Sequence, residues 1–172
     1  MKEINGWEKV KASDDYDRLA PGGYICNIIG VEDNESKSYL KIEYDIALGE
    51  FAGYWNEYAK RSGSWKGEFY RSYKDSAAGM FKGFINAVEA SNEGYKWDWR
   101  EQTLTGKYIG LVIGDEEYIA NDGSLKTWPK VRTVKPVQDI KEGRFRVPET
   151  KKVETEEPVV PDTPLNTDDF PF

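Results

Sequence analysis

The order in which the hydrophobic spacing changes along this chain constrains its fold more than any other feature. Tyr39–Ile46 alternates apolar and polar side chains, and a period of two is typical of a half-buried strand. Pro21-Gly22-Gly23 predicts a turn that leads into a β-rich run at 24–31. Residues 68–73 offer a third strand. The first half of the chain therefore predicts three strands.

The spacing then becomes helical over residues 76–90. One apolar stripe contains Ala77, Met80, Phe81, Phe84, Ile85 and Val88. Such a stripe predicts an amphipathic helix that packs against the sheet. Ser76 or Asp75 is the candidate N-cap, and Ser91-Asn92-Glu93-Gly94 predicts the helix end.

Two more strands follow, at Tyr108–Ile119 and 125–137, separated by the turn signal Asn121-Asp122-Gly123-Ser124. The predicted fold is mainly β with one helix, in the order three strands, helix, two strands. This order is typical of the five-stranded Greek-key barrel of the oligonucleotide/oligosaccharide-binding (OB) fold, which we expect over residues 1–147. An α+β sheet with the same order is the alternative.

Histidine is absent and Cys26 is the only cysteine. These counts exclude the usual zinc clusters, Cys/His and Ser/His nucleophile pairs, and an internal disulfide. Cys26 lies in an apolar run, which predicts a buried and inert thiol. Since no segment resembles a signal region or approaches the length of a membrane span, we expect an intracellular, soluble protein.

Residues 148–172 contain five of the eight prolines and almost no apolar run. Such a segment cannot bury enough surface to offset the entropy of ordering, so we expect a disordered acidic C-terminal tail. It ends in Asp168, Asp169, Phe170, Pro171 and Phe172, which resembles the C-terminal tip of bacterial single-stranded DNA-binding proteins. The carboxylates suit a basic rim and the rings suit a pocket, so we predict that these five residues bind a partner protein. An ordinary frayed terminus is the alternative.

The net charge of −7 conceals an uneven distribution. The six acids beyond Val153 are accompanied by no lysine or arginine. The preceding residues therefore carry 24 basic and 25 acidic side chains. A nearly neutral body permits a basic surface, because the field near a groove matters more than the total charge.

Rings and cations interleave between residues 54 and 74. The candidates for DNA contact there are Trp55, Tyr58, Lys60, Arg61, Trp65, Lys66, Arg71, Tyr73 and Lys74. In the fifth strand, alternation places Lys126, Trp128, Lys130 and Arg132 on one face. Rings stack on unpaired bases and cations follow the phosphates, so both sets predict contact with single strands. At least half of the rings are expected to belong to the core instead.

Clustered carboxylates at Asp115-Glu116-Glu117, and the segment Glu35-Ser36-Lys37, raise the alternative of a magnesium-dependent nuclease. A solvated strand end explains the acidic triplet more simply. We therefore expect no metal, no cofactor and no enzymatic activity.

The runs 40–47, 71–74, 81–89 and 106–118 resemble an uncharacterised family of phage proteins. Members come from the replication and recombination modules of phages of Gram-positive bacteria. The resemblance implies a single-stranded DNA-binding protein in the cytoplasm of the bacterial host, with replication or recombination proteins as partners of the tip and no membrane association. The sequence does not determine the oligomeric state, and a homo-oligomer is compatible with it. A magnesium-dependent nuclease and an acidic decoy protein are the competing interpretations.

Overall fold

The computed structural model describes residues 1–10 and 18–153. Five strands and three α-helices form the domain. In chain order these are β1 (Gly22–Asn34), β2 (Tyr39–Ile46), α1 (Tyr54–Ser62), β3 (Glu68–Ser72), α2 (Ala78–Ser91), β4 (Tyr108–Ile119), β5 (Leu125–Lys135) and α3 (Val137–Lys141). The mainly β class and the position of the main helix between the third and fourth strands are therefore confirmed.

The strands form one antiparallel sheet in the order β3-β2-β1-β4-β5. The long strand β1 pairs with β2 through its C-terminal part and with β4 through its N-terminal part. In the part of the chain that the structure describes, β3 and β5 are not hydrogen-bonded to each other, so the sheet is open. Their Cα atoms nevertheless come within 8 Å of each other, so the sheet curls strongly without closing.

Two bulges contribute to this curl. The register shifts between Ile28 and Gly30 where β1 pairs with β2, and between Val112 and Ile113 where β4 pairs with β5. A bulge bends its strand and increases the local right-handed twist. The sheet therefore turns its two edge strands toward each other.

The core fills the inside of this curl. Alternate residues of β2 are buried there, as the period of two predicts, and α2 covers them with Phe81, Phe84, Ile85 and Val88. Cys26 is fully buried, as predicted. Met80, assigned to the apolar stripe from its spacing, is instead 67% exposed.

The helix starts differently from its prediction. A single 3-10 turn at Asp75–Ala77 precedes α2, and neither Asp75 nor Ser76 makes a side-chain cap hydrogen bond. The predicted cap is therefore wrong. The buried face of α2 holds the helix in place instead.

Two of the three α-helices do not appear in the sequence prediction. The short α3 follows β5, and α1 occupies the aromatic segment that the sequence leaves without an assigned structure. Asp45, at the end of β2, explains why α1 begins where it does. Its buried carboxylate accepts the backbone N–H groups of Trp55 at 2.8 Å and Asn56 at 3.2 Å. A strand residue thus supplies the cap that the helix does not carry itself.

Among the described residues, no helix combines the length and apolarity that crossing a membrane requires.

Candidate nucleic-acid interface

The structure brings members of the two sets of predicted contact residues together where α1 meets β5. The Trp128 ring lies 5.6 Å from the Tyr58 ring, measured between centroids, and the two rings are nearly perpendicular. The Arg61 guanidinium carbon lies 5.3 Å from the centre of the Tyr58 ring. We call Trp128, Tyr58 and Arg61 the Trp128 cluster. Its two rings are partly exposed and its arginine is exposed.

Trp55 packs against this cluster from the side of the core. It is only 1% exposed and contacts Trp128 at 5.7 Å, Tyr58 at 5.6 Å and Tyr44 at 6.3 Å between ring centroids. A ring with no open face cannot stack on a base. The prediction that Trp55 contacts DNA is therefore corrected, and Trp55 belongs to the core.

The close approach of the chain at Gly67 lets Trp55 reach this position. A Cβ atom there would lie 2.7 Å from the backbone oxygen of Tyr44 and would also overlap the Trp55 indole. Only glycine lets β3 begin directly beside this ring. Trp65 packs against the core, half-buried, and its indole N–H donates to the Gly67 carbonyl at 3.0 Å.

Four exposed lysines lie close in sequence to the residues of the Trp128 cluster. Lys66, Lys126 and Lys130 are exposed and make no ion pair with any residue that the structure describes. The fourth, Lys60, lies 3.2 Å from Glu57, with both side chains about two-thirds exposed. Exposed pairs of this kind contribute roughly 0–1 kcal/mol, so a phosphate can replace Glu57 at little cost.

The register of β5 confirms that three of the predicted residues share a face. Lys126, Trp128 and Lys130 pair with Tyr118, Glu116 and Gly114 of β4 without interruption. Pro129, between them, is buried, and β5 is an edge strand, where the missing N–H of a proline is tolerated.

Arg132 does not continue this face as a phosphate contact. It lies at the bulge, where the pairing shifts from Val131 to Thr133. Its Nη2 donates to the backbone oxygens of Asp115 at 2.6 Å and Glu149 at 3.1 Å, and its Nε lies 3.5 Å from a Glu116 carboxylate oxygen. The prediction for Arg132 is therefore corrected, because its guanidinium is occupied within the protein.

Arg132 helps to hold the first residues of the predicted tail. Lys151 donates its backbone N–H to the Asp115 carbonyl, and its carbonyl accepts the N–H of Glu117, both at 2.9 Å. Residues 149–153 thus run beside the part of β4 that does not pair with β1. Residues 154–172 lie outside the described part of the chain. The predicted partner-binding residues Asp168, Asp169, Phe170, Pro171 and Phe172 are among the latter.

The acidic triplet on β4 is engaged in ion pairs. Asp115 lies 3.0 Å from Arg18, Glu116 faces Arg132, and Glu117 lies 3.6 Å from Lys152. Within residues 1–10 and 18–153, no three or more acidic or cysteine side chains are grouped so that they could hold a metal ion. The triplet instead connects β4 to the segments before β1 and after α3.

Arg71, Tyr73 and Lys74 form a second group at the other end of β3. Arg71 is half-buried, and its guanidinium lies 5.2 Å from the Phe69 ring and donates to the Tyr70 carbonyl at 3.0 Å. Burial lowers the pKa of Arg71 from its usual value, although an arginine stays charged at neutral pH. Tyr73 donates its hydroxyl to Asp33 at 2.7 Å, and Lys74 is exposed.

A shallow depression of about 550 Å³ lies beside Arg71. Tyr39 and Tyr70 form one wall, edge to face at 5.4 Å, and Met80 forms another. Tyr70 is half exposed. The predicted contact residues include neither tyrosine, although Tyr70 lies within the same run of interleaved rings and cations.

Sequence reasoning also missed Trp97 and Trp99, in the connection between α2 and β4. Trp99 is 75% exposed and stacks over Phe81 at an interplanar angle of 14°. The segment 95–100 alternates rings with charges, as 54–74 does, so this pattern was the available signal.

Comparison of the sequence with known protein families and with curated proteins finds no family and no protein that matches this chain.

Proposed function

We propose that this domain binds single-stranded DNA with little sequence preference and performs no chemistry on it. One observation carries the proposal. The partly exposed Trp128 and Tyr58 rings lie in contact beside Arg61. Their elements, α1 and β5, also bear the exposed Lys60, Lys126 and Lys130, and the exposed Lys66 lies in the connection after α1. A stacking platform accompanied by cations is what a protein needs to hold unpaired bases and their phosphates.

The two kinds of side chain have different tasks. Trp128 and Tyr58 stack on bases, at about 1–3 kcal/mol per base, and this energy depends little on base identity because every base has a π face. Lys60, Lys66 and Lys130 neutralise phosphates and release counterions, which makes affinity depend strongly on salt. The curled sheet, which we interpret as an opened relative of the OB-type Greek-key barrel, supplies a rigid surface for both.

The group at the end of β3 extends this surface. Arg71 is four residues from Gly67, about 13 Å along an extended strand. It lies beside the Tyr39–Tyr70 depression, and Lys74 follows it on the surface. A DNA strand that runs from the Trp128 cluster along β3 would meet further rings and further cations there.

The setting we propose is phage replication or recombination in the cytoplasm of the bacterial host. The resemblance of the runs 40–47, 71–74, 81–89 and 106–118 supports this setting. In it, Asp168, Asp169, Phe170, Pro171 and Phe172 recruit replication or recombination proteins. A variant that ends at Thr167 should bind single strands with the same affinity or, at low salt, a higher one, because an acidic tail competes with phosphates for the cationic face. It should lose those partners in a pull-down from host lysate. Identical partners from both forms would contradict the recruiting role.

The test of DNA binding is a fluorescence titration of the full chain with oligo-dT at several salt concentrations. We expect saturable quenching that weakens as salt rises, and little quenching with a duplex of the same length. Trp128→Ala should weaken binding by about 1–3 kcal/mol while circular dichroism stays unchanged. Lys152→Ala, which is exposed and not a proposed contact, is the matched control.

Two outcomes would overturn the proposal. Metal-dependent shortening of the oligonucleotide would indicate the nuclease. The absence of both quenching and shortening would indicate a protein that interacts only with other proteins.

A further inference from the structure

A second aromatic site lies next to β3 and has the opposite electrostatic character. It is a pocket of about 430 Å³ between the β1–β2 hairpin, the start of α2 and the connection to β4. Four rings line it: Tyr73, Phe81, Trp97 and Trp99. Three carboxylates lie at the same pocket: Asp33, Glu35 and Glu101. We call it the aromatic–acidic pocket.

The four rings form one continuous wall. Phe81 contacts Tyr73 at 6.1 Å, Trp97 at 6.1 Å and Trp99 at 6.4 Å between centroids, and Trp97 lies 5.7 Å from Trp99. Trp99 has a backbone φ of 67°, in the left-handed region that a bulky side chain rarely adopts. The chain thus holds a large ring in the open, in an unfavourable backbone conformation, above a buried one.

The carboxylates give this wall a negative potential. None of the three makes an ion pair within residues 1–10 and 18–153, and no lysine or arginine lines the pocket there. Arg100, which directly precedes Glu101, instead donates its Nε–H to a carboxylate oxygen of Asp98 at 2.8 Å. The hydrogen bond to Asp33 raises the pKa of Tyr73 to about 12, and the charges of Asp33, Glu35 and Glu101 act in the same direction.

We propose that the aromatic–acidic pocket binds an arginine side chain of a partner polypeptide. Ring faces attract cations, and a planar guanidinium can stack on an indole while its N–H groups reach a carboxylate. An ammonium group lacks this planar fork. Three carboxylates repel phosphates, so charge complementarity favours a basic peptide over a nucleic acid. The pocket shares only Tyr73 with the proposed DNA surface.

The test uses the full chain and a blocked pentapeptide with one arginine between glycines, titrated by calorimetry. The same peptide with citrulline, which has nearly the same shape and no charge, is the matched ligand. Trp99→Gly removes the ring and tolerates the positive φ, so the fold should survive. The double variant Glu35→Gln/Glu101→Gln removes two charges and keeps the side-chain sizes.

We expect Trp99→Gly to weaken arginine-peptide binding by about threefold to thirtyfold. The double variant and the citrulline peptide should also bind more weakly. Trp128→Ala, which does not line the pocket, should keep its affinity for the peptide, and Trp99→Gly should keep its affinity for oligo-dT. Equal binding of the two peptides, or no binding of either, would overturn the proposal. So would a loss of oligo-dT binding in Trp99→Gly, because the pocket would then hold a base.

Discussion

A carboxylate oxygen of Asp45 accepts the backbone N–H of Trp55 at 2.8 Å. This bond joins the end of β2 to the first turn of α1, ten residues later in the chain. The same oxygen also accepts the N–H of Ile46, and the second oxygen accepts that of Asn56. Because α1 carries Tyr58 and Arg61, the position of the Trp128 cluster depends on this one buried side chain.

Asp45→Ala should lower the free energy of unfolding by about 1–3 kcal/mol for each buried N–H group left without an acceptor. Urea denaturation followed by circular dichroism measures this loss. Asp75→Ala is the control, because Asp75 is exposed and does not cap α2, and it should change stability by no more than about 0.5 kcal/mol. Equal stability of the two variants would show that α1 is held without Asp45.

The two residues at positions 80 and 84 of α2 should respond differently to the same substitution. Phe84 is 1% exposed and packs against Phe69 and Phe81, so Phe84→Ala should cost about 3–5 kcal/mol through the cavity it leaves. Met80→Ala should cost little, since Met80 is largely exposed. Thermal unfolding of both variants tests this, and a large loss in Met80→Ala would show that Met80 is covered in solution.

Spacing predicted the strands better than the connections. The bounds of β2 and β4 agree with the prediction, because alternation and a long apolar run are local signals. The helix α1 was missed because its stability is tertiary: it needs the cap from Asp45 and the close approach at Gly67. The Greek-key barrel was expected from the order and lengths of the elements, and these do not determine whether β3 and β5 pair.

The same limit applies to the site. The interleaved run of rings and cations predicted Trp55 as a contact and the alternation of β5 predicted Trp128, yet Trp55 is core and Trp128 is partly exposed. Alternation placed Arg132 beside Lys130, but a bulge, which the spacing does not show, changes its surroundings. Trp99 was overlooked because it lies outside every predicted strand and helix, although rings and charges alternate there.

The stability of the protein should depend on Cys26 at alkaline pH. Burial, and secondarily the charge of Asp45, raises the pKa of the Cys26 thiol well above its usual range. The unfolded chain releases this proton above about pH 8.5 and the folded protein retains it, so the contribution to stability is lost as pH rises. Relative to Cys26→Ala, wild type should lose up to about 1.4 kcal/mol per pH unit in that window. Urea unfolding of both proteins between about pH 7 and about pH 10 measures the difference, and parallel pH profiles would contradict it.

Lys130 and Arg132 are two residues apart on β5, and they should separate DNA binding from stability. Lys130 is exposed and makes no ion pair with a described residue. Lys130→Ala should therefore reduce the slope of the logarithm of the binding constant against the logarithm of the salt concentration by about 0.7. This is the contribution of one phosphate on a single strand. Arg132 is bound to two backbone carbonyls and lies near Glu116, so Arg132→Ala should leave that slope unchanged. It should instead lower the free energy of unfolding by about 1–3 kcal/mol. Oligo-dT titrations at several salt concentrations, with urea unfolding of each variant, test both halves. A slope that changes in Arg132→Ala and not in Lys130→Ala would mean that the DNA contacts Arg132 and not Lys130.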